Sequence, residues 1–386
     1  MPFGYLNTTA IVAVCTLFAL APRRRREPSQ GNVSYWLGFL VNELPFLAFY
    51  VVLASTALAI GQGDIDSPVG WTAFALAILA TVGLVAVVRR GWQAGPAVDH
   101  ALHEALGAHW RTQLDPGLAA GLRRRLPLVR ILVVPFLFRR RDVERVVNIP
   151  YGEAGKRNLL DVYRRRSHPS GGPTLIHLHG GAFRSGAKNR QARALLYRLA
   201  SQGWLCISAN YRLRPAATFP DHLIDAKKVI AWAREHGREY GGDPALVLVA
   251  GSSAGGHLAA LAALTPNDPA FQPGFESVDT SVAAAIGLGS YYAGTGNEDA
   301  QPSSPLAYIR GQAPPFFVAH GELDTLVPVG DARRFVESLR SSSTNPVVYA
   351  ELPGGQHSFD LFHSIRFERV VDGIEAFAAW VRSRTS

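Results

Sequence analysis

The chain has 386 residues, is 48% hydrophobic and carries a formal net charge of +9. Its length suits two or three domains, or one large domain with an appendage. The two cysteines, Cys15 and Cys206, both lie in apolar runs, which argues against a disulfide framework and against metal ligation. The positive charge is nearly all arginine, Lys156, Lys188, Lys227 and Lys228 being the only lysines. Arginines cluster at 23–26, 123–125 and 139–141. Their position beside apolar segments fits anionic lipid better than nucleic acid.

The excess apolar residues sit at the front. Residues 1–22 are uncharged and end in four arginines, residues 44–62 form a second uncharged run, and residues 67–88 a third, closed by Arg89 and Arg90. Each is near the ~20 residues needed to cross a hydrocarbon core. Tyr35, Trp36, Trp71 and Trp92 stand near the ends, where aromatic residues suit the membrane interface. The first run is a poor signal peptide because its charge follows the apolar core, and Asn7-Thr8-Thr9 makes it the weakest of three predicted spans. The arginine clusters place the N-terminus outside and the remainder of the chain in the cytoplasm. The competing reading is a set of buried helices in a soluble cap.

Residues 91–141 are basic and punctuated by Pro96, Pro116, Pro127 and Pro135. The apolar piece 126–138 is too short to span and is expected either in the membrane surface or over the catalytic domain as a lid. The predicted layout is a region of about three transmembrane helices over residues 1–90, a basic linker or lid-like segment over 91–142, and a catalytic domain over 143–386.

From residue 143 the pattern becomes alternating strands and helices. Strands are predicted at 145–149, 159–163, 174–179, 205–209, 246–250, 282–288, 316–319 and 347–351, with helices at 190–201, 221–239, 254–264, 330–340 and 367–382. This alternation predicts an α/β fold with a mostly parallel sheet covered on both faces. Function in such sheets collects at the carboxyl ends of the strands.

One of those ends carries Gly251-Ser-Ser253-Ala-Gly255 between a buried strand and an alanine-rich helix. A strand that reverses into a helix this quickly strains its turn residue, and flanking glycines remove the clashes. The spacing is that of a nucleophile elbow, with Ser253 at the helix N-terminus. A serine hydroxyl needs a base held by an acid, and both are expected later in the chain, acid first. His357 follows the last strand on a glycine-rich turn. Asp324 follows the strand at 316–319 and is favoured over Glu322, Asp279 and Asp360. The oxyanion of an acyl-transfer intermediate needs backbone N–H donors. Ala254 is one candidate, and Gly181 and Ala182 in His179-Gly-Gly-Ala-Phe are the others. His179 is expected to shape that loop, and His257, His320 and His363 to be structural. Arg184 is either a contact for a polar substrate group or a solvated charge.

Taken together, His179-Gly-Gly-Ala-Phe, Asn210-Tyr-Arg-Leu, the segment from Phe219-Pro-Asp221 to Trp232, Gly251-Ser-Ser-Ala-Gly-Gly, His320-Gly-Glu-Leu-Asp324 and His357-Ser-Phe resemble the α/β-hydrolase family. They are most similar to its hormone-sensitive-lipase-like and feruloyl-esterase/deacetylase-like esterases, over roughly residues 143–386. The resemblance implies a serine carboxylesterase or lipase without metal or organic cofactor, acting on a small-molecule or lipid ester. Matched positions imply Ser253 as nucleophile, His357 as base, Asp324 as acid, and Gly181, Ala182 and Ala254 as oxyanion donors. Ala182 stands where the lipase-like branch has a third glycine, which implies a smaller acyl side of the pocket. The N-terminal cap of that branch is not recognisable. Amide hydrolysis or acyl transfer on the same triad, and a non-enzymatic scaffold, are the rival readings. The natural substrate and the oligomeric state are not legible in the sequence.

Overall fold

The computed structural model of the protein describes residues 2–22, 28–122, 125–294 and 303–385. The arginines at 23–26 and 123–124 lie outside the described residues.

The N-terminal part is helical: α1 (Pro2–Leu20), α2 (Pro28–Glu43), α3 (Pro45–Gly61) and α4 (Pro68–Leu106). α1 and α4 are long and apolar enough to cross a membrane. The polar Thr9 and Thr16 of α1 donate back to the carbonyls of Tyr5 and Val12 at 3.0 and 2.7 Å, so neither leaves an unsatisfied hydroxyl in an apolar setting. α1 packs on a small-residue face of α4 that includes Ala73, Ala77 and Ala80, which allows the backbones to approach closely. A side chain at Gly83 would meet Thr16 at 2.6 Å. α3, with 17 residues, is about 26 Å long at 1.5 Å per residue, at the short limit of a span. It meets α2 at a bend of 84°.

α4 begins on Ser67, whose hydroxyl accepts from Gly70 N at 3.0 Å, with Pro68 in the first turn. It runs unbroken through residues 90–91, where a change of domain is expected from the sequence, and carries Pro96 inside it. Its second half, with Ala94, Val98, Ala101 and Leu102, joins the core under the sheet. Two short helices, α5 (Pro116–Gly121) and α6 (Leu128–Leu132), complete this part.

The described residues from Val143 onward build an eight-stranded sheet. Its strands are β1 (Val143–Pro150), β2 (Leu159–Arg165), β3 (Gly172–Leu178), β4 (Leu205–Ala209), β5 (Gly242–Ser252), β6 (Ala284–Leu288), β7 (Phe316–Gly321) and β8 (Val347–Leu352). Their order is β1-β2-β4-β3-β5-β6-β7-β8, antiparallel at β1-β2 and β2-β4 and parallel from β4 onward. The parallel strands are nearly continuous apolar runs because both faces are covered. α7 (Arg193–Ser201), α11 (Ile365–Thr385) and the second half of α4 cover one face, while α8 (Asp221–His236), α9 (Ala254–Leu264) and α10 (Val329–Ser342) cover the other. In α10 the buried residues are Ala332, Phe335, Val336 and Leu339, the i, i+3, i+4, i+7 stripe of a helix on a sheet. The carboxyl ends of β3, β5, β7 and β8 open on the same edge, and the loops that follow them carry the polar residues singled out above.

Candidate active site

β5 ends at Ser252 and α9 starts at Ala254, so Ser253 alone turns the chain. Its φ of 52° and ψ of −118° lie in a region that an L-residue avoids, at a cost of about 1–3 kcal/mol. The surroundings enforce it. Ser253 N donates to Leu288 O at 2.9 Å, and Ser253 O accepts from the N–H groups of Gly256 and His257 in the first turn of α9. That turn presses on the end of β3: a side chain at Gly255 would fall 2.0 Å from Leu178 O. The glycines of the elbow are therefore required by space.

His357 reaches Ser253 from the loop after β8, with Nε2 at 3.0 Å from the hydroxyl. Its Nδ1 is 2.7 Å from Asp324 Oδ2. The other oxygen of Asp324 accepts from the backbone of Leu326 and Val327 at 2.9 and 2.8 Å, and His320 Nε2 lies 3.4 Å from Oδ2. Burial pushes the Asp324 carboxyl up, but the His357 imidazole beside it, its hydrogen bond and the Val327 N–H outweigh that and hold it below its ordinary value. Burial pushes the His357 imidazole down, and the charge and hydrogen bond of Asp324 raise it above the ordinary histidine value, with Asp360 adding to the effect.

The rival acids are engaged elsewhere. Glu322 accepts from Gly354 N at 2.9 Å, and Asp279 pairs with Arg234 at 2.9 Å. Asp360 is buried and takes the hydroxyl of Ser252, which in turn lies 2.9 Å from His177 Nε2. Burial lifts the Asp360 carboxyl to about 6.

Gln356, which no motif singles out in the sequence, joins the loops that carry Asp324 and His357. Its Oε1 accepts from Thr325 N at 2.8 Å and from His357 N at 2.9 Å. Leu323 N also donates to Gly355 O at 2.9 Å, and a side chain at Gly321 would meet that oxygen at 2.5 Å.

The loop after β3 lies against the elbow, a side chain at Gly180 falling 2.9 Å from Ser253 Cβ. Gly181, Ala182 and Phe183 all have positive φ, 120°, 52° and 59°, a strained run that turns the Gly181 carbonyl toward the N–H groups of Arg184 and Ser185. Among the described residues no backbone carbonyl outside helices and strands accepts from Gly181, Ala182 or Ala254 N. His179 stacks on Tyr211 with centroids 4.4 Å apart, and Tyr211 Oη donates to His179 O at 2.7 Å. Burial pushes His179 down to about 4, which keeps it neutral. His257 is buried against Phe183 and Tyr291, and His363 pairs with Glu368 in the interior. Arg184 is exposed.

The probable carboxylic ester hydrolase LipM of Mycobacterium tuberculosis is 39% identical over 98% of this chain and 93% of its own length. The chain belongs to the α/β-hydrolase family of esterases. Esterase LipQ of the same organism is 38% identical over 76% of this chain and 77% of its own. Residues 160–286 match the BD-FAE family. Among solved structures, the butyrate-bound form of the thermophilic esterase Est2 of Thermogutta terrifontis aligns with a TM-score of 0.53 and 25% identity, over 61% of this chain and 93% of that one. The esterase is thus an enzyme of carboxylic ester hydrolysis, and its mostly parallel sheet with flanking helices is the α/β-hydrolase fold.

The esterase also has an element at its site that sequence reasoning missed. α2 lies over the loops that carry Asp324 and His357. Gly31 O accepts from Thr325 Oγ1 at 2.9 Å, and Tyr35 Oη donates to Ser358 Oγ at 3.1 Å, its ring edge-on to His357 with centroids 6.2 Å apart. At its end Glu43 forms a fully buried ion pair with Arg366 and accepts from Ser364 Oγ at 2.7 Å. Residues 28–43 are of mixed polarity and match none of the three predicted spans. The one signal available was the pair Tyr35-Trp36, read as an interface marker.

Proposed function

We propose that the esterase is a membrane-anchored serine carboxylesterase or lipase that works through Ser253, His357 and Asp324. The single observation that carries this reading is the continuous hydrogen-bonded row from the Ser253 hydroxyl through both nitrogens of His357 to Asp324. In the first half-reaction His357 Nε2 takes the hydroxyl proton as Ser253 Oγ bonds to the ester carbonyl carbon. The negative oxygen is held by the N–H groups of Gly181, Ala182 and Ala254. Its collapse breaks the ester C–O bond, and the leaving alkoxide takes the proton from His357. In the second half-reaction His357 takes a proton from water, the hydroxide displaces Ser253 from the acyl carbon, and the acid departs as Ser253 recovers its proton. Asp324 holds the tautomer with Nδ1–H and stabilises the imidazolium; its two backbone donors fix the carboxylate in place.

For the membrane part, α1, α3 and α4 are read as three spans, with the catalytic domain on the cytoplasmic side. Arg90 Nη1 donates to Leu20 O at 2.7 Å, so the last turns of α1 and of the apolar half of α4 lie at one level. Asp64 and Asp66 lie at the opposite end, between α3 and α4. This agrees with a chain that enters at α1, returns at α3 and enters again at α4. Lipids of the bilayer are then partners of the outward faces.

Two experiments test the reading. Ser253→Ala is expected to lower hydrolysis of p-nitrophenyl butyrate by about 10³–10⁶-fold and to abolish labelling by a fluorophosphonate probe. Unchanged turnover refutes the triad. Carbonate washing of membranes is expected to leave the protein in the pellet, and full release refutes the anchor.

A further inference from the structure

The loop that delivers His357 is gripped from two sides. On one side stands α2, through Tyr35 on Ser358 and Phe39 stacked on Phe362 with centroids 6.5 Å apart. On the other stands the segment 128–138, whose Pro135 O accepts from His363 N at 3.0 Å and whose Phe136 meets Phe362 edge-on at 5.4 Å. Phe362 therefore bridges the two flanks, and together they form one rim beside the triad.

The outward side of that rim is apolar. On α2 the buried residues include Ser34, Tyr35, Gly38, Phe39 and Asn42, while Val33, Trp36 and Leu40 point away from the protein. The exposed positions are spaced i, i+3 and i+7, so they form one stripe along the helix. Across the gap Val133, Phe136 and Leu137 do the same. These six residues are 47% to 68% exposed. Leu79, Val82 and Val85 on the outer face of α4 are each 64% exposed, so the rim is bared to the degree of a predicted span. A monomer in water rarely displays such a contiguous patch.

The fold says what covers it. α2 is separated from α3 by Leu44 alone and turns 84° from it. With α3 along the membrane normal, α2 lies close to the membrane plane. A side chain at Gly38 would meet Phe18 C and O of α1 at 3.0 Å, which pins α2 at the end of a second span.

We propose that this rim is immersed in the leaflet that the spans cross, and that the substrate is an ester lipid that reaches Ser253 laterally from that leaflet. The proposal rests on the triad and anchor reading above. α2 then combines three tasks: it seals the acid and base loops from water through Tyr35, it carries the entrance, and it sets that entrance at the depth of acyl chains. A bilayer is the occupant that continuity with α3 demands.

The test uses the full chain in vesicles of phosphatidylcholine and phosphatidylglycerol. One arm offers p-nitrophenyl butyrate in the water, and the other 4-methylumbelliferyl palmitate dissolved in the bilayer. The variant replaces Val33, Leu40 and Leu137 by serine, all exposed and none part of the ring cluster. Removing three large apolar side chains from lipid is expected to lower turnover of the palmitate ester at least about tenfold. Turnover of the butyrate ester stays within about twofold, and the protein stays in the carbonate pellet. Equal loss on both substrates, or loss on neither, overturns the proposal. So does an unchanged palmitate rate accompanied by a change in cross-linked mass, which would assign the face to a second copy of the chain. Failure of the underlying reading gives other signs: Ser253→Ala that still cleaves the butyrate ester, or release by carbonate.

Discussion

Two regions meet at His357 and are built on opposite rules. The strand-end loops that carry Asp324 and His357 are buried and rich in hydrogen bonds: both oxygens of Asp324, Gln356 Oε1 and the backbone N–H groups of residues 322–325 all have partners. α2 touches the same loops with Tyr35 and Gly31, and its opposite face is bare and apolar. Buried polar groups must find partners or pay a desolvation penalty, which favours one arrangement of the loops. A helix that covers them with one face and leaves the other bare is free to vary outward without disturbing the loops. Changes in the loops should therefore act on kcat, and changes in α2 on stability and access.

Among changes to the loops that carry Asp324 and His357, the largest effect is expected at Asp324. Asp324→Asn keeps the shape but lets His357 adopt the wrong tautomer, and kcat for p-nitrophenyl butyrate should fall about 10⁴-fold with an unchanged circular dichroism spectrum. A loss of only a few-fold would erase the distinction between the two regions.

Next comes the joint between them. Arg366→Ala leaves Glu43 buried without its cation, at 1% and 0% side-chain exposure for the pair. The expected loss of stability is about 3–5 kcal/mol, read as a lower thermal midpoint. An unchanged midpoint would mean that α2 is not tied to the domain.

A third change acts through pH. In the proposed mechanism His357 acts as the neutral imidazole, and its basicity is raised by Asp324 and further by Asp360. The acid limb of kcat/KM should accordingly lie above the ordinary histidine value. Asp360 ionises near 6, so it is negative over the range in which that limb is measured. Asp360→Asn removes this charge, favours the neutral imidazole and should move the limb to lower pH. A limb that stays in place would deny the coupling, and one that moves upward would contradict its sign. The smallest effect is expected for Tyr35→Phe. It removes one hydrogen bond to Ser358, about 1 kcal/mol, and should lower the thermal midpoint slightly while changing kcat by no more than about fivefold.

The local signals of the catalytic half were strong. Eight apolar runs of strand length became β1 to β8, and the turn Gly251 to Gly255 was legible because a strand reversing into a helix within one residue leaves few choices of residue. The same holds for α9, read at residues 254–264. α4 was read only to residue 88, because the apolar run stops at Arg89 while the helix continues as an ordinary amphipathic core element. α2 was missed because its inner face is polar where it meets the loops and its outer face apolar, a pattern that resembles neither a span nor a core helix.

By itself the sequence determined the order of strands and helices, the elbow, and which residue types were able to act as acid and base, since these depend on periodicity and on chemistry close along the chain. Only the tertiary structure decided which carboxylate meets His357, that Gln356 joins the two loops, and that a helix more than 300 residues away from His357 along the chain closes over them. Those are contacts between distant segments, and what selects them is the need to pair buried polar groups from several loops at once, a condition that no single stretch of chain contains.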